Sequence, residues 1–143
     1  MSKSIKLKNI QPNYEFILIG LVTSEPLYRL SWLVNDSLNI QLKEAPPAQA
    51  YHTKRQIIQE FSIFQFDGID TSFFQLIQNK SQQGFLIEEQ KQVDYWLKIE
   101  NSTLITTDLL AKLKVLKNIN LVFEIKPGSL KSKSRLLFSS TDD

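Results

Sequence analysis

The stretch Glu15-Phe-Ile-Leu-Ile-Gly-Leu-Val-Thr23 sets the first constraint on the fold. It is rich in β-branched residues and apolar without a break from Phe16 to Val22, far short of the ~20 residues that a membrane-spanning helix needs. A strand with one wet face alternates apolar and polar residues, whereas a continuously apolar strand suits burial on both faces. The chain is therefore expected to build a sheet around this segment and to cover both of its sides.

The segments that follow supply the rest of such a sheet. Ser24-Glu-Pro26 reads as a helix start, with Ser24 as cap and Pro26 in the first turn, where its missing N–H costs little. Leu27, Leu30, Ser31, Val34 and Leu38 then recur at helical spacing. Leu42 to Lys54 contains Pro46-Pro47 and reads as an irregular loop. Gln56 to Phe66 and Ser72 to Gln78 read as strands joined at Asp67-Gly68, a hairpin signal. Asn79-Lys-Ser-Gln-Gln-Gly84 is a second polar turn. Val93, Tyr95, Leu97 and Ile99 alternate with Asp94, Trp96, Lys98 and Glu100, as in a strand with one core face. Thr107 and Asp108 open a second helix with Leu109, Leu110, Leu113 and Leu116 on its apolar side. Ile119, Leu121, Phe123 and Ile125 mark a last strand, which Pro127-Gly128 stops.

The expected fold is α+β in the order β-α-β-β-β-α-β with a mainly antiparallel sheet. Two β-α-β units flanking a hairpin resemble a ferredoxin-like or ACT-like two-layer sandwich with an added strand. The helices would cover one sheet face. A second copy in a homodimer, or the N- and C-terminal segments, would cover the other. With 143 residues the chain is one domain, its core at about 13–127 and a basic tail at 128–143.

Charge is unevenly spread although the net value is only +2. From Gln56 to Asp108 eight acids face three bases, whereas from Leu109 onward seven Lys or Arg stand against Glu124, Asp142 and Asp143. Lys126, Lys131, Lys133 and Arg135 make a candidate basic patch that would suit a phosphate backbone or an acidic partner. The plainer expectation is a solvated, mobile C-terminal segment. The absence of cysteine excludes disulfides, thiolate metal sites, Cys nucleophiles and Fe–S clusters. With no signal peptide or spanning segment in the pattern, a cytoplasmic protein is expected, with no membrane partner.

The run Gly84-Phe-Leu-Ile-Glu-Glu-Gln-Lys-Gln-Val-Asp-Tyr95 resembles the signature of the IPExxxVDY family, small Bacteroidota proteins named for that string. Ile87, Glu89, Val93, Asp94 and Tyr95 match it, and Glu88 replaces the signature's Pro. The surroundings are similar too: Leu30-Ser-Trp32-Leu-Val in the first helix, and Leu130-Lys-Ser-Lys133 ahead of Leu136-Leu-Phe138. The resemblance spans most of the chain and implies a lineage and a fold rather than a function. On physical grounds the string has two readings. In one, it fixes how a loop enters the central strand, with Tyr95 packed and Asp94 accepting N–H bonds from the preceding turn. In the other, Glu88, Glu89 and Asp94, with Trp96 on the same strand face as Asp94, form an acidic contact site.

Catalytic patterns are missing. His52 is the only histidine and falls in the expected loop with no carboxylate beside it in sequence. Gly20, Gly68, Gly84 and Gly128 are isolated, so a backbone phosphate cradle is not expected, nor a nucleophile elbow or metalloprotease string. No cofactor or metal is expected. The reading is a non-catalytic protein-interaction module. RNA binding through a sheet face and the basic tail is the alternative, followed by a small-ligand regulatory domain or an enzyme using Glu89 and Asp94.

Overall fold

The computed structural model describes residues 14–68 and 70–137. Strand β1 (Ile17–Val22) leads into helix α1 (Leu27–Leu38), then β2 (Lys43–His52), β3 (Ile57–Asp67) and β4 (Phe73–Gln78). A ribbon of β5 (Lys80–Ser81) and β6 (Gly84–Phe85) precedes a helical turn at Glu88–Gln90. Strand β7 (Tyr95–Glu100), helix α2 (Thr106–Lys114) and β8 (Leu121–Glu124) follow, and two helical turns, Pro127–Ser129 and Lys133–Leu136, come last. The class is α+β. Six strands form one sheet in the order β2-β3-β4-β7-β1-β8, and every neighbouring pair is antiparallel.

Strand β1 is buried on both sides, as its unbroken apolar sequence requires. Ile19 and Leu21 pack on one face with Leu30 and Val34 of α1, Leu109 and Leu113 of α2, and Leu97 and Ile99 of β7. Phe16 and Leu18 turn to the other face and join Phe61, Ile77 and Trp96. Each such aliphatic side chain taken fully out of water contributes about 1.5–3 kcal/mol. Gly20 makes room on that second face: a Cβ there would lie 2.8 Å from the Phe123 ring and 3.2 Å from the Trp96 ring.

The second face is closed by the chain itself. Leu86, Ile87 and Val93 from the loop before β7 lie over it, with Leu130 and Leu136 from the segment 127–137, here termed the strap. Tyr14 packs against the same cluster. The expected solvated tail is therefore a packed segment over 127–137, because its two leucines have a sheet face to fill. The rest of that tail, 138–143 with Phe138, and the N-terminal residues 1–13 lie outside the described residues.

Two local expectations are corrected. The supposed loop at 42–54 is mostly strand β2, the outer strand of the sheet. Pro46 and Pro47 are tolerated there because an edge strand has N–H groups with no ladder to join. The pairing with β3 slips between Ala45 and Ala48 to accommodate them. Neither helix carries the expected cap either: Pro26 and Ile105 occupy the N-cap positions without side-chain hydrogen bonds. Thr23, rather than Ser24, serves the turn before α1, its Oγ1 accepting the Glu25 N–H at 3.1 Å. Helix α1 ends at Asn39, whose φ of 58° is the left-handed conformation that asparagine adopts more readily than most residues.

Candidate functional site

The signature-like string is organised by a residue outside it. Asn79, at the end of β4, is fully buried. Its Nδ2 donates to the carbonyls of Gln90 at 3.0 Å and Val93 at 2.9 Å, and its Oδ1 accepts from Ile87 N–H at 2.9 Å and Trp96 Nε1–H at 3.0 Å. Its own N–H and carbonyl reach Asp94 O and Leu86 N–H. One amide thus satisfies polar groups at both ends of a loop that has no ladder of its own.

Around this hub the string's residues tie the loop to separate parts of the molecule. Ile87 and Val93 are buried. Glu89 accepts the N–H and the hydroxyl of Ser132, both at 2.8 Å, and so holds the strap. Burial pushes the Glu89 carboxyl up, but those two bonds, with the backbone N–H groups of Glu89 and Lys131, outweigh it and leave the group below its ordinary value. Asp94 accepts the Thr23 N–H at 2.8 Å and pairs with Lys80 at 2.8 Å. Tyr95 donates its hydroxyl to Glu25 O at 2.7 Å, and burial, with Asp94 and Glu25 nearby, raises its pKa. The N–H that Asp94 holds comes from the turn after β1, not from the turn that precedes Asp94 itself.

The proposed acidic contact site is therefore not assembled. Glu88 faces His52, Glu89 the strap and Asp94 the β1–α1 turn, while Trp96 is buried in the second-face cluster. Trp96 does project opposite to Tyr95 and Leu97, but that face is covered.

The basic residues divide in the same way. Arg135 donates Nε–H to Leu86 O at 2.7 Å, Nη1–H to Tyr51 O at 2.8 Å, and Nη2–H to Phe85 O at 3.3 Å and to Gln59 Oε1. Burial lowers the guanidinium's pKa, with Glu88 and Glu89 acting the other way; arginine remains charged all the same. Lys133 lies 5.2 Å above the Tyr14 ring. Lys126 borders a hollow with Tyr14, Phe16 and Glu124. Lys131 and Arg135 line a different cleft, of about 280 Å³, with Tyr51, His52, Thr53, Lys54, Glu88 and Ser134.

His52 does have a carboxylate partner, which sequence proximity did not reveal. Its Nδ1 accepts the Arg55 N–H at 3.1 Å, so the ring proton sits on Nε2, 3.2 Å from Glu88 Oε2. With both nitrogens engaged, the ring has no atom left to take a proton from a nearby hydroxyl, and the pair is not the base of a nucleophilic triad. Among the described residues no three His, Asp or Glu side chains gather to hold a metal ion, and no helix is long and apolar enough to cross a membrane.

Lys98 is the other residue that sequence reading placed wrongly. It is 1% exposed, on the covered face of β7. Its Nζ donates to Leu136 O at 2.5 Å, pairs with Glu100 at 3.0 Å and sits 4.7 Å from the centre of the Phe16 ring. Burial lowers its pKa and Glu100 opposes that.

The outward face of α1 carries the remaining feature. Tyr28 and Trp32, one turn apart, are 71% and 64% exposed, and the Arg29 guanidinium lies 5.9 Å from the Trp32 ring. The helical spacing that places Leu30 and Val34 inside also places this pair outside, so the signal was present in the sequence.

Compared with family models, with curated proteins and with solved structures, the chain matches none of them.

Proposed function

We propose that the chain is a non-catalytic protein-interaction module that docks its partner on the outward face of α1. The observation that carries this reading is the exposed set Tyr28, Arg29 and Trp32. Tyr, Trp and Arg dominate binding energy at interfaces, because each brings a large contact area and a polar handle. The engagement of Glu88, Glu89, Asp94 and His52 with other parts of the chain supports the non-catalytic part. RNA binding has less support: Trp96, Phe61 and Ile77 lie under the strap rather than on a bare face where bases could stack.

We read the strand order β4-β7-β1-β8, with one helix on either side of the β4–β7 pair in sequence, as a ferredoxin-like core extended by β3 and β2. The IPExxxVDY lineage, a cytoplasmic location and a homodimer stand as proposals beside it. A lineage reading is supported by the way Ile87, Glu89, Val93, Asp94 and Tyr95 each hold a structural contact.

The test is an affinity pull-down from the cell's own lysate with wild-type chain and a Tyr28→Ala/Trp32→Ala variant, each with and without ribonuclease. A partner that survives ribonuclease and is lost with the variant is expected. A partner indifferent to the variant would remove α1 from the reading, and one lost with ribonuclease would replace it with RNA binding.

A further inference from the structure

We infer that the cleft between the β2–β3 turn and the strap is a binding site for a small phosphate-bearing ligand. Two segments distant in sequence build it. The turn supplies His52, Thr53 and Lys54, the strap supplies Lys131, Ser134 and Arg135, and Glu88 closes one side. At about 280 Å³ it lies at the lower end of ligand-pocket sizes, which suits a phosphate group on a small substituent.

Its charge is unbalanced in one direction. Lys54, Lys131 and Arg135 stand against Glu88 in the lining and Glu89 just outside it, and both carboxylates are already engaged, Glu88 by His52 and Glu89 by Ser132. Neither the Lys54 nor the Lys131 ammonium group has a hydrogen bond or ion pair to another described residue, the Lys131 backbone N–H being held by Glu89. Arg135 is a fixed cation, because its four hydrogen bonds all go to neutral acceptors. One of its five N–H groups, on Nη1, has no acceptor among the described residues. A guanidinium so anchored needs little reordering when an anion arrives, and that preorganisation favours binding.

The donor set selects the anion. Two ammonium groups, the remaining Arg135 N–H, and the hydroxyls of Thr53 and Ser134 outnumber the lone pairs that two carboxylate oxygens present toward one side. A phosphate monoester offers three terminal oxygens and up to two negative charges. Ser132 is excluded from this role because Glu89 holds both its N–H and its hydroxyl. The cations also form a cluster rather than a track: Lys126 and Lys133, which would extend them along a polynucleotide, lie away from the cleft. That geometry favours a small ligand over an RNA backbone.

The inference does not depend on α1, and its test leaves α1 untouched. Inorganic phosphate is titrated into the full isotope-labelled chain at constant ionic strength, with sodium chloride and sodium acetate as parallel arms. Saturable amide shifts at Thr53, Lys54, Lys131 and Ser134 with phosphate alone are expected. A Lys54→Gln/Lys131→Gln variant, whose exposed substitutions leave melting unchanged, is expected to weaken binding roughly tenfold. Shifts that do not saturate, equal shifts with chloride, or full affinity in the double variant would each overturn the site. Binding of an oligouridylate without binding of phosphate would replace the small ligand with RNA.

Discussion

The two faces of the sheet are closed by different means. The helix face is sealed by leucine stripes on α1 and α2, whose side chains repeat at the helical period and need only an apolar neighbour. The strap face is sealed by irregular segments, 86–93 and 127–137, whose backbone polar groups have no ladder. They are held by Asn79, Glu89, Lys98 and Arg135, each aimed at particular carbonyls or N–H groups. A periodic cover tolerates exchange of one apolar residue for another. A hydrogen-bonded cover depends on single side chains, since removing one leaves several buried groups unsatisfied.

That contrast can be broken by substitution. Asn79→Leu strips four groups, three of them in buried bonds, of their partner and is expected to cost on the order of 4 kcal/mol in urea unfolding. A loss below that of one core leucine would mean that the hub is not what holds the strap face. Leu113→Ala, on the helix face, should cost about 3 kcal/mol as an ordinary cavity, and Leu113→Met much less. If Leu113→Met cost as much as Leu113→Ala, the helix face would be as exacting as the strap face.

Acid sharpens the comparison further. The Glu89 carboxyl lies below its ordinary value in the folded chain, so its stabilisation is fully present above the unfolded value of 4.5 and is lost as pH falls through the folded value. Glu89→Gln should therefore lower stability by about 1 kcal/mol at pH 7, a figure already reduced for the group's exposure. The variant and the wild type should then converge in melting temperature at strongly acid pH. A difference that persists unchanged there would assign the effect to packing rather than charge. The smallest effect is expected at Trp32→Ala, within about 0.5 kcal/mol because the side chain is mostly outside. A larger loss would place Trp32 in the fold rather than on a docking face.

The same contrast explains what was legible in the sequence. The double burial of β1, the core face of β7 at Tyr95, Leu97 and Ile99 and the leucine stripes of both helices follow from period alone, whereas Val93 joins the opposite cluster and the other face of β7 is covered at Trp96 and Lys98. Strand β2 was obscured because its proline pair carries a loop signal that an edge position overrides. The strap was hidden by its charge: Lys126, Lys131, Lys133 and Arg135 suggest solvent, yet Arg135 turns inward while Leu130 and Leu136 fill the sheet. Asn79 reads as one more turn residue, since nothing local distinguishes a solvated amide from one that bonds across fourteen residues. The string at 84–95 announced itself, but the Ser132, Thr23 and Glu25 groups that Glu89, Asp94 and Tyr95 hold lie 43 to 71 positions away. Such pairings are set by the fold and carry no spacing that a single sequence exposes.

The proline pair of β2 has one more consequence. A sheet with two open margins can recruit strands on both and grow without limit, as fibres do. Here β2 is blunted over part of its length by Pro46, Pro47 and the register slip beside them, and the opposite margin, β8, is four residues long. Both margins of the six-stranded sheet are thus short templates for an added strand, which works against growth into a filament.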